Sequence, residues 1–182
     1  PPKIGEFIRE QRAEIVNGLL NFARLNGSEF GDLNLNQLIR ERLNLLDHQL
    51  RQNHIQVEAA LDDSIPQVFG NGGKLQQVFI NLFLNARDAM ISGGELKVRT
   101  AMNDEMVVVD INDTGGGISE ENIKRIYDPF FTTKSTGKGT GLGLAVTYGI
   151  IQEHGGRIFV DSAPGQGTHF RLKLPTRHIA QK

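Results

Sequence analysis

Two glycine-rich clusters carry the residue types best suited to binding a phosphate. The first, Gly115-Gly116-Gly117, closely follows the carboxylate of Asp113, and the second occupies residues 139–143 with glycine at every other position. Glycine lets the main chain approach a ligand closely and take conformations that other residues resist. A helix that begins in the second cluster would direct free N–H groups and a positive dipole end at an anion. The spacing therefore predicts a site for a nucleotide polyphosphate.

The glycine spacing excludes two common phosphate-binding motifs. No Gly-x-x-x-x-Gly-Lys-Ser/Thr stretch occurs, so the chain lacks a P-loop. The Rossmann fingerprint has two residues between its second and third glycines, whereas only one separates Gly141 from Gly143, and no strand pattern precedes this cluster. Because isolated glycine clusters usually mark turns, the prediction depends on a further element that supplies a metal ligand.

Residues 73–91 are predicted to form a helix that supplies this ligand. At about 100° per residue, its apolar side chains fall on one arc that would face a core. The arc contains Leu75, Val78, Phe79, Leu82, Phe83, Ala86, Ala89 and Met90. Asn81, Asn85 and Asp88 form a stripe beside the arc. Asparagine usually prefers caps and turns, so two of them one turn apart indicate a ligand. Their amide oxygens suit Mg²⁺ that is held jointly with substrate phosphates.

Together, these residues resemble the catalytic ATP-binding domain of two-component sensor histidine kinases, within the GHKL ATPase superfamily. Five stretches resemble the motifs of this family, in the family order. They are the asparagine box at 81–90, the first glycine box at 113–117, the phenylalanine box at 128–134, the second glycine box at 139–144 and a last signature at 165–170. The complete set is far more specific than any single motif.

The resemblance assigns the adenine end of the site to the first glycine box. Asp113 would accept a hydrogen bond from the adenine amino group and so select adenine over guanine. Gly115 and Gly117 would let the main chain approach the base and ribose. Thr168 would lie near the same aspartate, and Ile118 also belongs to the implied ATP-binding set.

The resemblance assigns catalysis at the phosphate end to the asparagine box. Asn85 would bind Mg²⁺, which would bridge phosphate oxygens, and Asn81 would support it from one turn earlier. Many kinases carry a basic residue where this chain has Asp88. The pattern looks instead like the subclass that includes nitrogen-regulatory sensor kinases. The resemblance therefore implies that Asp88 takes part in ATP binding through a water-mediated contact to magnesium rather than through direct contact with phosphate.

Residues 118–141 would form a lid over the bound ATP. Phe130 and Phe131 would pin the base of this lid, while Lys134 and Lys138 would meet phosphate charge. The second glycine box, which opens the next helix, would cradle the phosphates. The other implied ATP-binding residues of this region are Thr132, Thr133, Gly139, Thr140, Gly141, Leu142 and Gly143.

The residue at position 81 bears on the reaction type. In the hydrolytic relatives (gyrase, the mismatch-repair ATPase and the heat-shock chaperone), a glutamate at the matching place activates water. Asn81 cannot act as a general base near neutral pH. We therefore expect the chain to bind ATP and present its γ-phosphate with little hydrolysis.

No histidine of this chain has the sequence context of a phosphoacceptor. The five histidines are His48, His54, His154, His169 and His178. His154 precedes Gly155 and fits the C-terminal cap of a helix. Residues 4–25 read as a helix with a coiled-coil-like apolar row, and residues 15–24 resemble the end of the second helix of the dimerisation and phosphotransfer hairpin. We expect the acceptor histidine to lie upstream, so that this chain cannot phosphorylate itself.

The predicted fold is an α/β (α+β) two-layer sandwich, in which a mixed, mainly antiparallel sheet is covered by helices on one face. A hairpin remnant at 1–28 would precede a catalytic domain at 29–176 and a tail at 177–182. Helices are predicted at 35–52, 73–91, 119–126 and from 141 to 154, and strands at 30–33, 55–60, 95–102, 106–112, 157–161 and 168–174.

Composition excludes several other classes of protein. The net charge is -1 and charges of both signs are interspersed, which argues against nucleic-acid binding. There is no cysteine, so disulfides and thiol chemistry are excluded. No apolar run approaches the roughly 20 residues of a membrane span. We expect a cytoplasmic domain, which an upstream region of the full-length protein could anchor to a membrane.

The resemblance implies transfer of the ATP γ-phosphoryl group to a histidine of the same or a partner subunit. A response-regulator receiver domain would then accept the phosphate, and the full-length protein would be a homodimer. Three alternatives stay open. Asn81 argues against a GHKL machine that hydrolyses ATP, and the hairpin-like residues 15–24 argue against a protein-serine kinase. The complete motif set argues against a non-catalytic nucleotide-binding or dimerisation module.

Overall fold

A computed structural model of the 182-residue chain describes residues 29–135 and 139–176, together with Val16. Apart from Val16, the predicted N-terminal helix at 4–25 therefore lies outside the described residues, as do the tail from 177 onward and Lys138. In the described ranges, no helix combines the length and the apolar content that a membrane span needs.

The helices form close to where the sequence predicts them. Within the described ranges they are α1 (Leu35–Gln52), α2 (Gly72–Ala89), α3 (Glu120–Ile123) and α4 (Gly143–Glu153). The Asn71 side chain caps α2 by accepting a hydrogen bond from the Lys74 N–H at 3.0 Å. Helix α2 ends before the predicted boundary because Met90 leaves the helical conformation. Gly93, at φ 87°, then donates its N–H to the Met90 carbonyl.

Side-chain caps also fix the starts of α1 and α3. Asn34 accepts from the Gln37 N–H at 3.0 Å, which confirms the predicted cap of α1. Ser119 accepts from the Asn122 N–H at 3.3 Å, as predicted for α3. Helix α3 is shorter than predicted, however, and Ile126 lies in the turns that follow it.

Seven strands are described, and six of them match predicted strands with small shifts at their ends. They are β1 (Gly31–Leu33), β2 (Ile55–Leu61), β3 (Val68–Gly70), β4 (Gly94–Asn103), β5 (Met106–Asp113), β6 (Arg157–Ser162) and β7 (Thr168–Pro175). The sequence did not predict β3, a three-residue strand that forms by pairing with the distant β1. Strands β1 and β3 pair antiparallel in a small separate sheet.

The main sheet confirms the predicted fold class. Its five strands lie in the order β2-β4-β5-β7-β6. Only β2 and β4 pair in parallel, and the other neighbours are antiparallel. Alternate residues of β5, such as Val107, Val109 and Ile111, are buried against the helical layer. Asp110 and Arg171 pair across the opposite face. The result is a two-layer α/β sandwich with a mixed sheet.

Helix α2 contributes the largest buried side chains of the core. Leu75, Val78, Phe79, Leu82 and Phe83 are each at most 1% exposed, which confirms most of the predicted apolar arc. Burying one such side chain contributes about 1.5–3 kcal/mol to folding. This burial fixes the rotation of the helix about its axis, and the asparagine stripe beside the arc is fixed with it.

His154 is a buried residue at the end of α4, and its ring is fully hydrogen-bonded. Its Nε2 accepts from the Asn71 N–H at 2.9 Å, so the Nδ1 that lies 2.7 Å from the Ile150 carbonyl must carry the proton. Burial lowers the pKa of His154. A second proton would remove the acceptor that Asn71 needs. The fold therefore holds this histidine neutral.

We predict that the chain loses stability in mild acid through His154. In the unfolded chain this group takes up a proton below about pH 6.5, whereas the folded state resists protonation. The free energy of unfolding should therefore fall as pH drops below about 6.5, until the lowered folded-state pKa is passed. Urea denaturation between about pH 8 and pH 5 measures this loss.

A matched pair of variants isolates the contribution of His154. His154→Gln should have a flatter pH dependence than the wild-type chain. His48→Gln, at an exposed position of α1, should keep the wild-type dependence. Equal pH dependence in the wild-type chain and His154→Gln would contradict the role given to His154.

Candidate functional site

A cavity of about 420 Å³ opens between α2, the end of β5 and the segments on either side of residues 136–138. Most of the predicted site residues line it, although they come from distant parts of the chain. They are Asn81, Asn85, Asp88, Asp113, Gly117, Ile118, Thr132, Thr133, Lys134, Gly139, Thr140, Gly141, Gly143 and Thr168.

Three predicted residues do not line the cavity. Gly115 lies behind its wall, where a Cβ atom would come within 2.6 Å of the Ala89 carbonyl oxygen. Phe130 is 60% exposed, although its main-chain N–H donates to the Gly141 carbonyl at 2.9 Å. Leu142 precedes the first turn of α4. These residues shape the site through their main chain.

Sequence reasoning left several lining residues out of the predicted set. They are Leu84, Arg87, Ala89, Ile91, Gly116, Asn122, Ile126, Phe131, Leu144 and Phe170. One of them could have been found, because Leu84 extends the helical stripe of Asn81, Asn85 and Asp88 at steps of three and four residues, whereas Ile91 lies beyond the end of α2. Phe131 was predicted only as an anchor of the lid, and its partly buried ring packs against the core.

The carboxylate of Asp113 stands at one end of the cavity. Its Oδ1 accepts from the Gly115 N–H at 2.8 Å. Burial raises the pKa of the Asp113 carboxyl, although main-chain hydrogen bonds from Gly115 and Thr168 act in the opposite direction. The antiparallel register of β5 and β7 pairs Asp113 with Thr168, which places the predicted pair side by side.

Ser162, which the sequence did not single out, organises this end of the cavity. Its Oγ accepts from the Ile118 N–H at 2.8 Å and donates to the Gly167 carbonyl at 2.7 Å. It also lies 2.9 Å from the Thr168 hydroxyl. One hydroxyl thus ties the segment after β5 to the start of β7.

Two glycines allow the main-chain segments at this end to approach one another. Gly117 has φ 74° and Gly167 has φ 71°, in the left-handed region that favours glycine. A Cβ atom at Gly117 would collide with the main chain of Ala163, and one at Gly167 with the carbonyl of Asp113. The predicted need for glycine is therefore both conformational and steric.

The two predicted asparagines of α2 have different surroundings. The Asn81 amide is engaged: Oδ1 accepts from Gln77 at 2.8 Å, and Nδ2 donates to the Gly143 carbonyl at 3.0 Å. A longer contact of 3.3 Å reaches the Thr147 hydroxyl. Among the residues that the structure describes, none hydrogen-bonds to the Asn85 side chain, which lines the cavity. Asn81 therefore ties α2 to α4, and Asn85 has an amide oxygen to offer a ligand.

The chemistry of these donors fits magnesium held together with a nucleotide. In the described ranges, no group of three or more His, Cys, Asp or Glu side chains could hold a metal ion alone. Mg²⁺ is usually bound by only one or two protein ligands plus phosphate oxygens and water. The amide oxygen of Asn85 suits such a shared site.

A cluster of charges closes the cavity beside Asn85. Lys134 Nζ lies 2.6 Å from Asp88 Oδ2, and Arg87 donates to Asp88 Oδ1 through Nε at 3.0 Å and Nη2 at 2.8 Å. Burial acts to raise the pKa of Asp88, but hydrogen bonds and charge from Lys134 and Arg87 outweigh it and hold that pKa below its ordinary value. Asp88 is therefore ionised at neutral pH.

Comparison with known proteins gives a consistent result. The family described as "Histidine kinase-, DNA gyrase B-, and HSP90-like ATPase" matches residues 70–178. Sporulation kinase E of Bacillus subtilis (strain 168) is 37% identical over 169 residues, which cover 92% of this chain and 23% of that protein. Sensor histidine kinase ZraS of Escherichia coli (strain K12) is 35% identical over 161 residues, which cover 88% of this chain and 34% of that protein. The chain thus spans about a quarter to a third of the length of these relatives.

Solved structures extend the similarity to the fold. The catalytic domain of histidine kinase ThkA, in a nucleotide-free form, is 35% identical with a TM-score of 0.73. The match covers 81% of this chain and 96% of that domain. Full-length ShkA in complex with AMPPNP has a TM-score of 0.78 at 26% identity, over 91% of this chain and 36% of that protein. The chain therefore belongs to the histidine kinase-, DNA gyrase B- and HSP90-like ATPases, and within them to the ATP-binding catalytic domains of sensor histidine kinases.

Proposed function

We propose that this chain binds ATP together with Mg²⁺ and, within a longer protein, supports transfer of the γ-phosphoryl group to a histidine. The observation that carries the proposal is the meeting of Asp113, Asn85 and Lys134 around one cavity. These residues supply, in turn, an acceptor for a base, a ligand for a hard cation and a positive charge for a phosphate. Such a set matches the three parts of Mg-ATP.

Asp113 would select the base at its end of the cavity. An ionised carboxylate only accepts hydrogen bonds. It therefore favours the amino group of adenine and disfavours the carbonyl oxygen that guanine has at the same position. The Gly115 N–H and the strand pairing with Thr168 hold the carboxylate in place.

Asn85 and the glycine segment would hold the phosphates. The free amide oxygen of Asn85 would bind the ion, and the first turn of α4 would direct N–H groups at the phosphate oxygens. Mg²⁺ held there would supply positive charge that offsets the negative charge developing during transfer. Positioning and charge, rather than proton transfer from the protein, would therefore account for the rate.

Among the described residues that line the cavity, none is a suitable base to activate water. The only carboxylates among its described lining residues are Asp88 and Asp113. Asp88 is paired with two cations, and Asp113 is assigned to the base. The Asn81 amide cannot accept a proton and is already bonded to Gly143. This supports an ATP-presenting site over a hydrolytic one.

The acceptor histidine would lie outside this chain. Among the described histidines (His48, His54, His154 and His169) none lines the cavity. We propose that residues 1–28 are the remnant of a dimerisation and phosphotransfer hairpin, and that the acceptor belongs to the same or the partner subunit of a homodimer. A receiver domain of a response regulator would take the phosphate from that histidine. The chain would act in the cytoplasm, with any membrane anchor upstream.

We predict that this chain binds Mg-ATP without turning it over. Phosphorus NMR should show shifted or broadened ATP resonances in the presence of Mg²⁺, with no growth of ADP and phosphate signals. Asn85→Ala should lose the magnesium-dependent part of the change, because it removes the only proposed protein ligand. Asn44→Ala, at an exposed position of α1, is the matched control. Accumulation of ADP and phosphate would contradict the role given to Asn81.

We predict that Asp113 determines the preference for adenine. Replacement by asparagine keeps the size and removes the charge. Asp113→Asn should weaken ATP binding by about 10- to 100-fold, the range expected for loss of a hydrogen bond to a charged group. GTP binding should change much less, and titration calorimetry measures both. Asp161→Asn, exposed on β6, is the control, and an unchanged ratio of ATP to GTP affinity would refute the assignment.

We predict that the full-length protein carries phosphate on a histidine after incubation with Mg-ATP, whereas this chain alone takes up none. The label should be labile in acid and stable in base, and Asn85→Ala should abolish it. Stable label on this chain, or acid-stable phosphoserine on the full-length protein or a partner, would contradict the proposal.

A further inference from the structure

A salt bridge spans the cavity at the end assigned to the phosphates. Lys134 lies on the lid segment, Asp88 lies on α2, and their charged atoms are 2.6 Å apart. The Lys134 side chain is 34% exposed and that of Asp88 is 27% exposed, so the pair is partly shielded from water. Such a pair is stronger than a fully exposed one. Both residues line the cavity that would receive ATP.

The local main chain is built to present Lys134 to the cavity. The Lys134 N–H donates to the Thr132 hydroxyl at 3.1 Å, which forms a tight turn before the lysine. The lysine stem packs against Gly139, where a Cβ atom would lie 2.9 Å from Lys134 Cδ. One glycine of the second cluster therefore provides the space that this side chain occupies.

Asp88 has a second cation that does not depend on the lid. Arg87 bonds Asp88 Oδ1, whereas Lys134 bonds Oδ2. The Arg87 guanidinium also donates to the Gln49 side chain of α1, which holds it from the opposite side. If Lys134 moved away, Asp88 would still be paired with Arg87. Loss of the lysine would therefore not leave an unpaired charge in a partly buried place, which would be strongly destabilising.

We propose that Asp88 is a positioning residue that occupies Lys134 in the absence of nucleotide, and that an incoming triphosphate takes Lys134 from it. The inference rests on the proposed function, since it needs ATP phosphates at this end of the cavity. Carboxylate and phosphate are both anionic acceptors that an ammonium group binds through charge-assisted hydrogen bonds. A phosphate that approaches Lys134 Nζ would compete with Asp88 Oδ2, which now lies 2.6 Å away, for the same positive charge. Arg87 makes the exchange inexpensive because it keeps Asp88 paired.

The exchange gives the acidic residue at position 88 a function. A basic residue there would place a phosphate-binding charge on the rigid helix. The chain instead carries that charge on the lid and holds it over the cavity with Asp88. When a triphosphate arrives, Lys134 exchanges its contact with Asp88 of α2 for a contact with the nucleotide. Adenosine, which has no phosphate, cannot cause this exchange.

A double-mutant cycle on ATP affinity tests the exchange. Asp88→Asn should tighten ATP binding by about fivefold, because Lys134 no longer has to leave a carboxylate, and Lys134→Met should weaken it by a similar factor. In the Lys134→Met background, Asp88→Asn should change ATP affinity by less than about twofold. Adenosine affinity should stay constant throughout. If Asp88→Asn raised ATP affinity equally in the wild-type and Lys134→Met backgrounds, Asp88 would simply repel the phosphates, and the exchange would be overturned.

A second measurement needs no nucleotide. Trypsin cleaves after lysine, so the rate of cleavage after Lys134, followed by mass spectrometry, reports how firmly this side chain is held. Asp88→Asn should accelerate that cleavage several-fold, and Asp63→Asn, which removes the exposed partner of Arg40, should not. Equal cleavage in the wild-type chain and Asp88→Asn would overturn the exchange alone. Failure of the wild-type chain to bind ATP at all would overturn the proposed function and the exchange with it.

Discussion

The structure depends on one helix that is both the centre of the core and a wall of the cavity. Helix α2 buries Phe79 and Phe83 completely under the sheet. Because these side chains and the stripe of Asn81, Asn85 and Asp88 lie at fixed angles around one axis, the helix cannot rotate without exposing its aromatic residues. Burial of these apolar side chains thereby fixes the direction in which the stripe faces, which is toward the cavity. The rest of the site is arranged against this stripe.

A second constraint fixes the opposite end of the cavity. The register of β5 and β7 is set by the alternation of buried and exposed residues, since a slip of one residue would turn every buried side chain outward. That register pairs Asp113 with Thr168. Gly117 and Gly167 then allow the flanking segments to meet, and Ser162 joins them. The distance between Asp113 and the asparagine stripe of α2 is thus set by the packing of the helices on the sheet and not by the lid.

The sequence predicted the features that arise from local physics and missed those that arise from distant contacts. Periodicity and capping residues located α1, α2 and six strands, because each signal lies within a few residues of the element it defines. Strand β3 was missed, since its stability comes from pairing with β1 and not from its own pattern. Ser162 and the Arg87–Asp88–Lys134 cluster were missed for the same reason: nothing near them in the sequence shows what they contact. The predicted roles of the site residues in binding ATP stay predictions.

The different surroundings of Asn81 and Asn85 clarify how one helix could serve transfer without hydrolysis. Both asparagines look equivalent in sequence, one turn apart on one stripe. The structure commits Asn81 to Gly143 and Thr147, so this residue acts as a tie between α2 and α4. The side chain of Asn85, one turn further, makes no hydrogen bond to any of the described residues. The tie keeps the start of α4 in register with Asn85, the residue that we propose as the metal ligand. Among the described lining residues, Asp88 and Asp113 are the only carboxylates and both are already engaged, so in the proposed transfer the nucleophile would arrive from outside the cavity, positioned by another part of the protein.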